Sequence, residues 1–292
     1  MKPMLAHEYT KHSNKVKEWG SVIFQPKFDG IRATFSKAHP SILSRNEKIL
    51  KVDKCIPKLT AILDSLPTGA VLDGELIIPG EDFNTISSII RRNTNQHKRI
   101  NEAVFVIFDC YIPGDYPFIH RYMKLHNLID IPQVIDDRGS FGLGEDVVLS
   151  PIAVGRHNSI ESALKVHTEK GWEGIMIRDG DSQYTPNKRS HSLLKYKTWK
   201  ELPANVYGMI EGKGKNSSMM GALQCVYKDN RGLPVHFEVG TGFTDIQRMA
   251  WWHDRFALSH PSIKVKYQEL SKAGVPRFPV FVSITEKLPD KF

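Results

Sequence analysis

Short stretches with the two-residue periodicity of β-strands dominate the first two thirds of this chain and limit the folds open to it. Helical stretches lie between some of them but do not alternate with them strictly, which indicates the α+β class. The predicted strands are Ser21–Lys27, Ile31–Ser36, Ser41–Ser44, Ala70–Ile78, Ala103–Ile112, Gly174–Arg178 and Ser192–Lys197. The predicted helices are Val52–Leu66, Asp82–Arg92, Tyr122–Ile129 and Ser159–Lys170.

The pattern changes near Ala204, where five strand candidates are interrupted by a single helix. The helix, Thr244–Leu258, opens with the capping-box sequence TDIQ. Five strands with one helix between the third and the fourth predict an OB-fold barrel, a fold that often binds oligonucleotides. We expect domains at residues 1–202 and 203–292, with TWKELP (198–203) as the hinge. The strands are Ala204–Lys213, Ala222–Asp229, Pro234–Gly240, Ile263–Leu270 and Phe278–Ile284.

The composition favours an intracellular protein with a polyanionic partner. The 292 residues carry a formal net charge of +8, and clustered Lys and Arg suit nucleic-acid phosphates. The three cysteines are far apart and fit buried thiols in a reducing compartment. No signal peptide and no membrane-spanning apolar run occurs, so we expect a cytoplasmic protein without membrane contact. The twelve histidines show no metal-ligand spacing.

Charged residues sit at the ends of several apolar strands. Any one such strand end is more often simply solvated, but together they can form one pocket. Its cations would suit a triphosphate, and its carboxylates would suit Mg²⁺. Neither a GxxxxGK[ST] loop nor a GxGxxG turn is present. The cations are Lys27, Arg32, Arg45, Lys195 and Lys197, and the carboxylates are Asp29, Glu75 and Glu173.

These segments carry a family resemblance. KFDGIR (27–32) resembles motif I, KxDGxR, of the ATP-dependent DNA ligases in the covalent nucleotidyltransferase superfamily. The later motifs of that family have similar counterparts in chain order. They are SRN (44–46), DGEL (73–76), VIFD (106–109), EGIMIR (173–178) and LKYK (194–197), and FEVGTGF (237–243) and PRFPVF (276–281) resemble the OB domain of minimal ligases.

The resemblance implies an ATP-grasp-like nucleotidyltransferase domain of antiparallel sheets flanked by helices, followed by the OB barrel. It also implies sealing of nicks in duplex DNA in three steps. A lysine takes AMP from ATP, AMP passes to the 5′-phosphate at the nick, and the 3′-OH then displaces it. The minimal viral, phage or bacterial type implies Mg²⁺, for which Mn²⁺ can substitute, and a monomer without an obligate protein partner.

The resemblance also implies roles for single residues. Lys27 would be the nucleophile, and nearby cations and metal would help it to lose its proton. Asp29 would act at the 3′-OH and the metal, and Glu173 would be a metal ligand. Gln25 stands where relatives often have Glu, and its carbonyl could accept from the adenine amino group. The remaining nucleotide contacts would be Glu75 to ribose, Phe108 to adenine, and Arg32, Arg45, Lys195 and Lys197 to phosphates.

Several of these roles have a plain alternative. Phe108 could be a core aromatic residue, and Glu173 could be a surface residue beyond a helix. For the last motif, Arg277 is the candidate pyrophosphate contact, with Lys287 behind it. Either could be a solvated charge on the barrel rim. For the pairs Arg91–Arg92 and Lys188–Arg189, which could bind the DNA backbone, a solvated face is the alternative. The candidate DNA-backbone contacts are Arg32, Arg45, Arg91, Arg92, Lys188, Arg189, Lys213 and Lys215.

Two other functions are compatible with parts of the pattern. An RNA ligase or a capping guanylyltransferase would share the nucleotidyltransferase motifs, but the form of motif I and the PRFPVF ending favour a DNA ligase. A non-catalytic nucleic-acid-binding module would share the barrel. It would leave the charged strand ends of the first domain without an explanation.

Overall fold

The computed structural model describes residues 1–92, 94–129, 146–254, 261–271 and 273–285, which form two compact units, Met1–Lys197 and Thr198–Phe292. The first unit contains eleven strands and five helices among these residues. Its strands are β1 (Leu5–Glu8), β2 (Val22–Pro26), β3 (Ile31–Ser36), β4 (His39–Ser44), β5 (Ile49–Leu50), β6 (Val71–Ile77), β7 (Val104–Tyr111), β8 (Val147–Leu149), β9 (Ala153–Gly155), β10 (Gly174–Asp179) and β11 (Arg189–Lys197). Its helices are α1 (Tyr9–His12), α2 (Ile56–Asp64), α3 (Phe83–Ile90), α4 (Phe118–His126) and α5 (Ile160–Glu169).

Two sheets organise the first unit. One has the strand order β1-β11-β10-β2-β9, and the other has the order β5-β4-β3-β6-β7-β8. The predicted α+β class is confirmed, and the sheets of the first unit are antiparallel as predicted except at two edges. Strand β1 pairs with β11 in parallel, and β8 pairs with β7 in parallel. Both edge strands are only three or four residues long, which is why their periodicity is too short to predict.

The helices pack on the sheets through their apolar faces. Helices α2, α3 and α4 contact the second sheet, and α5 contacts the first. The predicted helix at Asp82 is confirmed together with its cap, since the Asp82 carboxylate accepts from the backbone N–H groups of Asn84 and Thr85. Helix α4 begins four residues before the predicted Tyr122, directly after Pro117. The cysteines are buried free thiols, as predicted.

The second unit has the predicted succession of five strands with one helix after the third. These are β12 (Lys200–Glu211), β13 (Met220–Lys228), β14 (Pro234–Val239), α6 (Asp245–His253), β15 (Ser262–Tyr267) and β16 (Val280–Thr285). Their order is β14-β13-β12-β15-β16, and a parallel bridge between Thr241 and Val280 joins the two edges. Such closure removes the free edges of the sheet, as in an OB barrel.

Four of the six residues predicted as a hinge, 200–203, lie in a strand. Strand β12 starts at Lys200 and pairs with β15 from its first residue. Residues 198–202, assigned above to the first domain, therefore belong to the second unit, which begins at Thr198. The capping box of α6 is present, with the Thr244 hydroxyl accepting from the Gln247 N–H.

In the part of the chain that the structure describes, the helices are too short or too polar to cross a membrane.

Candidate active site

The first feature of the site is the convergence of three strand ends in one sheet. Lys27 follows the last residue of β2, and its backbone N–H donates to the Gly174 carbonyl at 2.9 Å. On the other side of β10, Gly174 pairs with Lys197 at the end of β11. Antiparallel pairing on both sides of β10 therefore places Lys27, Glu173 and Lys197 at the same edge, as the motif order predicts.

Glu173 lies between the two lysines. Its Oε2 accepts from the Lys27 ammonium, and its Oε1 forms an ion pair with Lys197. Burial and the neighbouring Lys27 charge lower the pKa of Lys197. Each carboxylate oxygen of Glu173 is engaged by one lysine, so a metal at this residue requires at least one of these ion pairs to open.

A cavity of about 170 Å³ lies between strands of both sheets beside Lys27. Residues from β1, β2, β10 and β11 line it on one side, and residues from β3, β6 and β7 line it on the other. The lining therefore mixes apolar, cationic and carboxylate groups, a combination suited to a polar ligand with a flat apolar part. The sequence-predicted residues in this lining are Gln25, Lys27, Arg32, Arg45, Glu75, Phe108, Arg189 and Lys195.

The turn between β2 and β3 approaches the second sheet very closely at Gly30. A Cβ atom at this position would collide with the Leu76 carbonyl oxygen and would lie 2.9 Å from Cγ of Glu75. Glycine is therefore required here by the close approach. This approach sets the Lys27 turn beside Glu75.

Glu75 is a carboxyl group of the cavity with altered acidity. Burial, partly offset by Arg32 and Lys27, raises its pKa to about 7, and the charges of Asp73 and Asp29 act in the same direction as burial. Near neutral pH this carboxyl group therefore exchanges between its neutral and ionised forms. Asp29 is partly exposed on the turn that carries Lys27.

Arg32 is held inside the protein. Its Nε and Nη2 each donate to one oxygen of Asp73 at 2.6 Å, and Nη2 also donates to the Met4 carbonyl at 3.2 Å. The Tyr184 hydroxyl donates to the same carboxylate at 2.5 Å. The predicted phosphate contact of Arg32 would therefore have to be made by a guanidinium whose fork already binds Asp73.

A second buried ion cluster connects the two sheets behind the cavity. Asp109 of β7 accepts from Arg121 of α4 at 2.9 and 3.1 Å and from Arg178 of β10 at 2.7 Å. Burial alone would raise the pKa of Asp109, but the two guanidinium groups hold it below its usual range. The cluster fixes the spacing of the sheets on which the cavity depends.

The Gln25 amide group already makes two hydrogen bonds inside the protein. Its Oε1 accepts from Arg178 Nε at 2.6 Å, and its Nε2 donates to the Phe108 carbonyl at 3.1 Å. An amide oxygen can accept two hydrogen bonds, so the contact of Oε1 with the adenine amino group stays a prediction. The side chain is buried in the contact between the two sheets, although it still lines the cavity.

Phe108 was predicted either to contact adenine or to be a core aromatic residue, and its position is compatible with both. It is 8% exposed within the core cluster of the second sheet, and it also lines the cavity. It is the extra residue of a β-bulge, because Asp73 pairs with Asp109 while the adjacent Gly74 pairs with Ile107. The Arg32 guanidinium carbon lies 4.5 Å from the ring centroid, so a stacked adenine would share the ring with this cation.

Arg45 and Arg91 lie at a second, larger cavity of about 640 Å³. This cavity shares Arg32, Arg45 and Glu75 with the smaller one. The backbone N–H of Arg45 donates to the Arg32 carbonyl at 3.2 Å, which fixes the turn that carries it. Three of the predicted DNA contacts, Arg32, Arg45 and Arg91, therefore lie together beside the smaller cavity.

The other predicted cations of the first unit lie at the edge of the smaller cavity or on the surface. Lys195 forms an ion pair with Glu8 at 2.7 Å across β1 and β11. Arg189 donates to the Ala6 carbonyl, whereas Lys188 and Arg92 are exposed.

In the second unit, Lys213 and Lys215 are exposed at the short turn between β12 and β13. Arg277 forms an ion pair with Glu269, and its guanidinium lies 5.6 Å from the Phe278 ring centroid. The alternative candidate, Lys287, lies outside the described residues.

Sequence reasoning misses the buried ion clusters. Asp73, Asp109 and Arg178 belong to motifs that were recognised, but no role was assigned to them. Their signal is a charge inside an otherwise apolar strand, as in VFVIFDCY, which indicates a buried partner. Arg121 and Tyr184 belong to no motif, and only the tertiary structure brings them to the site.

Two models of known protein families match the chain, one in each unit. The family model described as ATP dependent DNA ligase domain matches residues 3–197, and the one described as DNA ligase OB-like domain matches residues 211–284. The first model alone covers more than half of the chain.

Individual relatives carry the same name. A DNA ligase of Thermococcus onnurineus is 27% identical across all of this chain, which spans 56% of that protein. The structure of a Lig E DNA ligase has 26% identity and a TM-score of 0.69, with coverage of 98% of this chain and 99% of that one. Chlorella virus DNA ligase-adenylate has 25% identity and a TM-score of 0.52, with coverage of 99% of both chains. This chain belongs to the family of ATP-dependent DNA ligases.

Proposed function

We propose that this chain is an ATP-dependent DNA ligase that seals nicks with a 5′-phosphate and a 3′-OH through a lysyl-AMP intermediate. One observation carries the proposal most directly. Lys27 lines a cavity bounded by both sheets and contacts a carboxylate that a second lysine also contacts. A nucleophilic amine, a neighbouring proton acceptor and surrounding cations are the groups that amine attack on a triphosphate requires.

In the first step, the neutral Lys27 amine attacks the α-phosphorus of ATP. A nitrogen–phosphorus bond forms, the bond to the pyrophosphate oxygen breaks, and pyrophosphate leaves. The proton of Lys27 can pass to Glu173, whose Oε2 it already contacts. Lys195 and Lys197 supply positive charge where negative charge develops on the leaving group.

A divalent cation fits this site through its oxygen donors. Glu173 contacts Lys27, and Glu75 interacts electrostatically with Lys27 and Asp29. Carboxylate oxygens together with substrate phosphates suit Mg²⁺ or Mn²⁺. When bound, the ion would neutralise phosphate charge. Glu173 would hold it after exchanging a lysine contact for the metal.

The later steps use nicked duplex DNA as the partner. AMP moves from Lys27 to the 5′-phosphate of the nick, and the 3′-OH then attacks that phosphorus while AMP leaves. Arg45 and Arg91 beside the cavity, with Arg92, Lys188, Arg189, Lys213 and Lys215 on the surfaces of the two units, provide cations for the DNA backbone. We expect a monomer that acts inside the cell on DNA without an obligate protein partner.

Labelling with radioactive nucleotide tests the proposal against its alternatives. We expect a covalent label from [α-³²P]ATP and Mg²⁺ that survives denaturing electrophoresis and is lost on addition of nicked duplex DNA. A label from GTP alone would indicate a capping guanylyltransferase, and loss of the ATP label only with nicked RNA would indicate an RNA ligase. Absence of any label would indicate a binding module and would contradict the proposed function.

The raised pKa of Glu75 predicts a pH-dependent affinity for adenosine. If Glu75 accepts from a ribose hydroxyl, its ionised form is the stronger acceptor, so affinity should rise as pH increases through about 7. We expect adenosine to bind about fivefold more tightly at pH 8 than at pH 6, a difference of about 1 kcal/mol in hydrogen-bond strength. Adenosine is chosen because it lacks the titrating phosphates of ATP. Calorimetry measures the affinity at each pH. In the control variant Glu75→Gln the affinity for adenosine should not change with pH. An affinity that depends on pH as strongly in that variant would exclude Glu75 as the cause of the pH dependence.

A further inference from the structure

Three histidines meet on the surface of the first unit, although their positions in the sequence show no metal-ligand spacing. They are His7 on β1, His12 at the end of α1 and His191 on β11. One ligand nitrogen from each ring lies within 4.8 Å of the others. The rings of His7 and His191 are stacked with centroids 4.1 Å apart, and His12 contacts both.

The local fold explains why these rings converge. Strand β1 pairs with β11 in parallel, but the register jumps from Ala6–Ser190 to His7–Leu194. His191 therefore lies in an irregular segment of β11, where it is free of the ladder with β1 and is turned toward His7. Helix α1 follows β1 directly and returns His12 to the same place. An irregular strand pairing of this kind leaves no periodic signature in the sequence.

We propose that His7, His12 and His191 form a binding site for a divalent transition-metal ion of the Zn²⁺ type. Imidazole nitrogens are preferred ligands for Zn²⁺, Cu²⁺, Ni²⁺ and Co²⁺, whereas Mg²⁺ prefers oxygen. Three histidines with one open position are a known zinc arrangement, with zinc–nitrogen distances of about 2.0–2.1 Å. Ligand nitrogens in such a site are about 3.4 Å apart, so small rotations of partly exposed rings suffice.

The chemistry around the rings agrees with this proposal. Glu8, the adjacent carboxylate, is engaged by Lys195. The donor set is therefore made of nitrogen atoms, which separates it chemically from the carboxylate site at Glu173.

The strands that carry His7 and His191 also form part of the wall of the nucleotide cavity. Leu5 and Ala6 of β1, and Arg189 and Lys195 of β11, line that cavity. A metal bound by His7, His12 and His191 would tie β1 and α1 to β11 immediately beside these residues. The bound ion would therefore stabilise one wall of the cavity against opening of the N-terminal strand.

Titration of the full chain with Zn²⁺ or Co²⁺, in excess Mg²⁺ to occupy oxygen sites, tests the proposal. We expect one saturable site by calorimetry, and visible Co²⁺ absorption of a low-coordinate nitrogen site. Loss of an outer-shell partner typically weakens metal binding by about tenfold to a hundredfold, and loss of a direct ligand should cost no less. We therefore expect His191→Gln and His12→Gln each to weaken binding by about tenfold or more. The exposed His39, which lies on β4, provides the matched control His39→Gln, which should bind as the wild type does.

Folding of the variants is checked separately by their melting temperatures without metal. His191 is exposed, so His191→Gln should melt within a few degrees of the wild type and should lose only the upward shift that Zn²⁺ produces. No saturable binding by the wild type would overturn the proposal. Equal affinity in His191→Gln, His12→Gln and the wild type would also overturn it. None of these outcomes depends on ligase activity.

Discussion

Lys27→Ala is expected to abolish detectable lysyl-AMP and to lower ATP-dependent nick sealing by at least about four orders of magnitude. No other lysine combines its position at the cavity with the contact to Glu173 among the residues that the structure describes. Removing the amine removes the atom that must bond to phosphorus. The measurement is single-turnover sealing of a nicked duplex, together with the nucleotide-labelling assay.

Two controls separate the loss of the nucleophile from loss of the fold. Lys27→Arg keeps a cation for Glu173 but cannot form the adenylate, so it should be as inactive as Lys27→Ala. A nicked duplex that already carries a 5′-adenylate needs no lysyl-AMP, and both variants should seal it at a substantial fraction of the wild-type rate. Adenylation of Lys27→Ala at the wild-type rate would contradict the assigned role.

Asp109→Ala is expected to lower the free energy of unfolding by about 3–5 kcal/mol. The side chains of Asp109, Arg121 and Arg178 are 0%, 1% and 3% exposed, so the substitution leaves two guanidinium groups buried without their carboxylate. The effect should be seen in urea denaturation, with hydrogen exchange used to follow the amides of the first unit.

The exposed pair Lys15–Glu18 supplies the control, because Glu18→Ala should change stability by less than about 0.5 kcal/mol.

The sign of the pH dependence follows from the lowered pKa of Asp109. Its contribution is present above the unfolded value of about 3.9 and is lost as pH falls through the lower folded value. The stability gap between wild type and Asp109→Ala should therefore narrow below about pH 4. A gap under 1 kcal/mol at pH 7 would contradict the stabilising role of the cluster.

The sequence predicts the strands well where each contains several alternating apolar residues. Strands β2, β3, β6 and β7 all lie within one or two residues of their predicted positions. Strands β1, β8 and β9 were missed, since three or four residues contain too little periodicity. The second unit begins at Thr198, whereas the sequence placed the boundary at residue 203. The first residues of β12 are polar and resemble a linker, and only their pairing with β15 identifies them as strand.

The charged strand ends were predictable for a different reason. The charged residues lie within or next to apolar strands, and the order of the family motifs indicated that these strand ends meet. They are Lys27, Glu75, Lys195 and Lys197. Their partners were not predictable, because the ion pairs of Asp109 and the bulge at Phe108 depend on how two sheets pack. The hydrogen bonds of Gln25 were not predictable for the same reason, since they join the two sheets.

The central claim is that the Lys27 side chain becomes bonded to AMP inside the cavity between the two sheets. Tandem mass spectrometry of the wild-type chain after incubation with ATP and Mg²⁺, without DNA, tests it most directly. We predict a single adenylylated peptide whose fragments assign the modification to Lys27, and its disappearance when nicked duplex DNA is added. Modification of a different lysine, or an unmodified Lys27 peptide in a preparation that seals nicks with ATP, would contradict the claim.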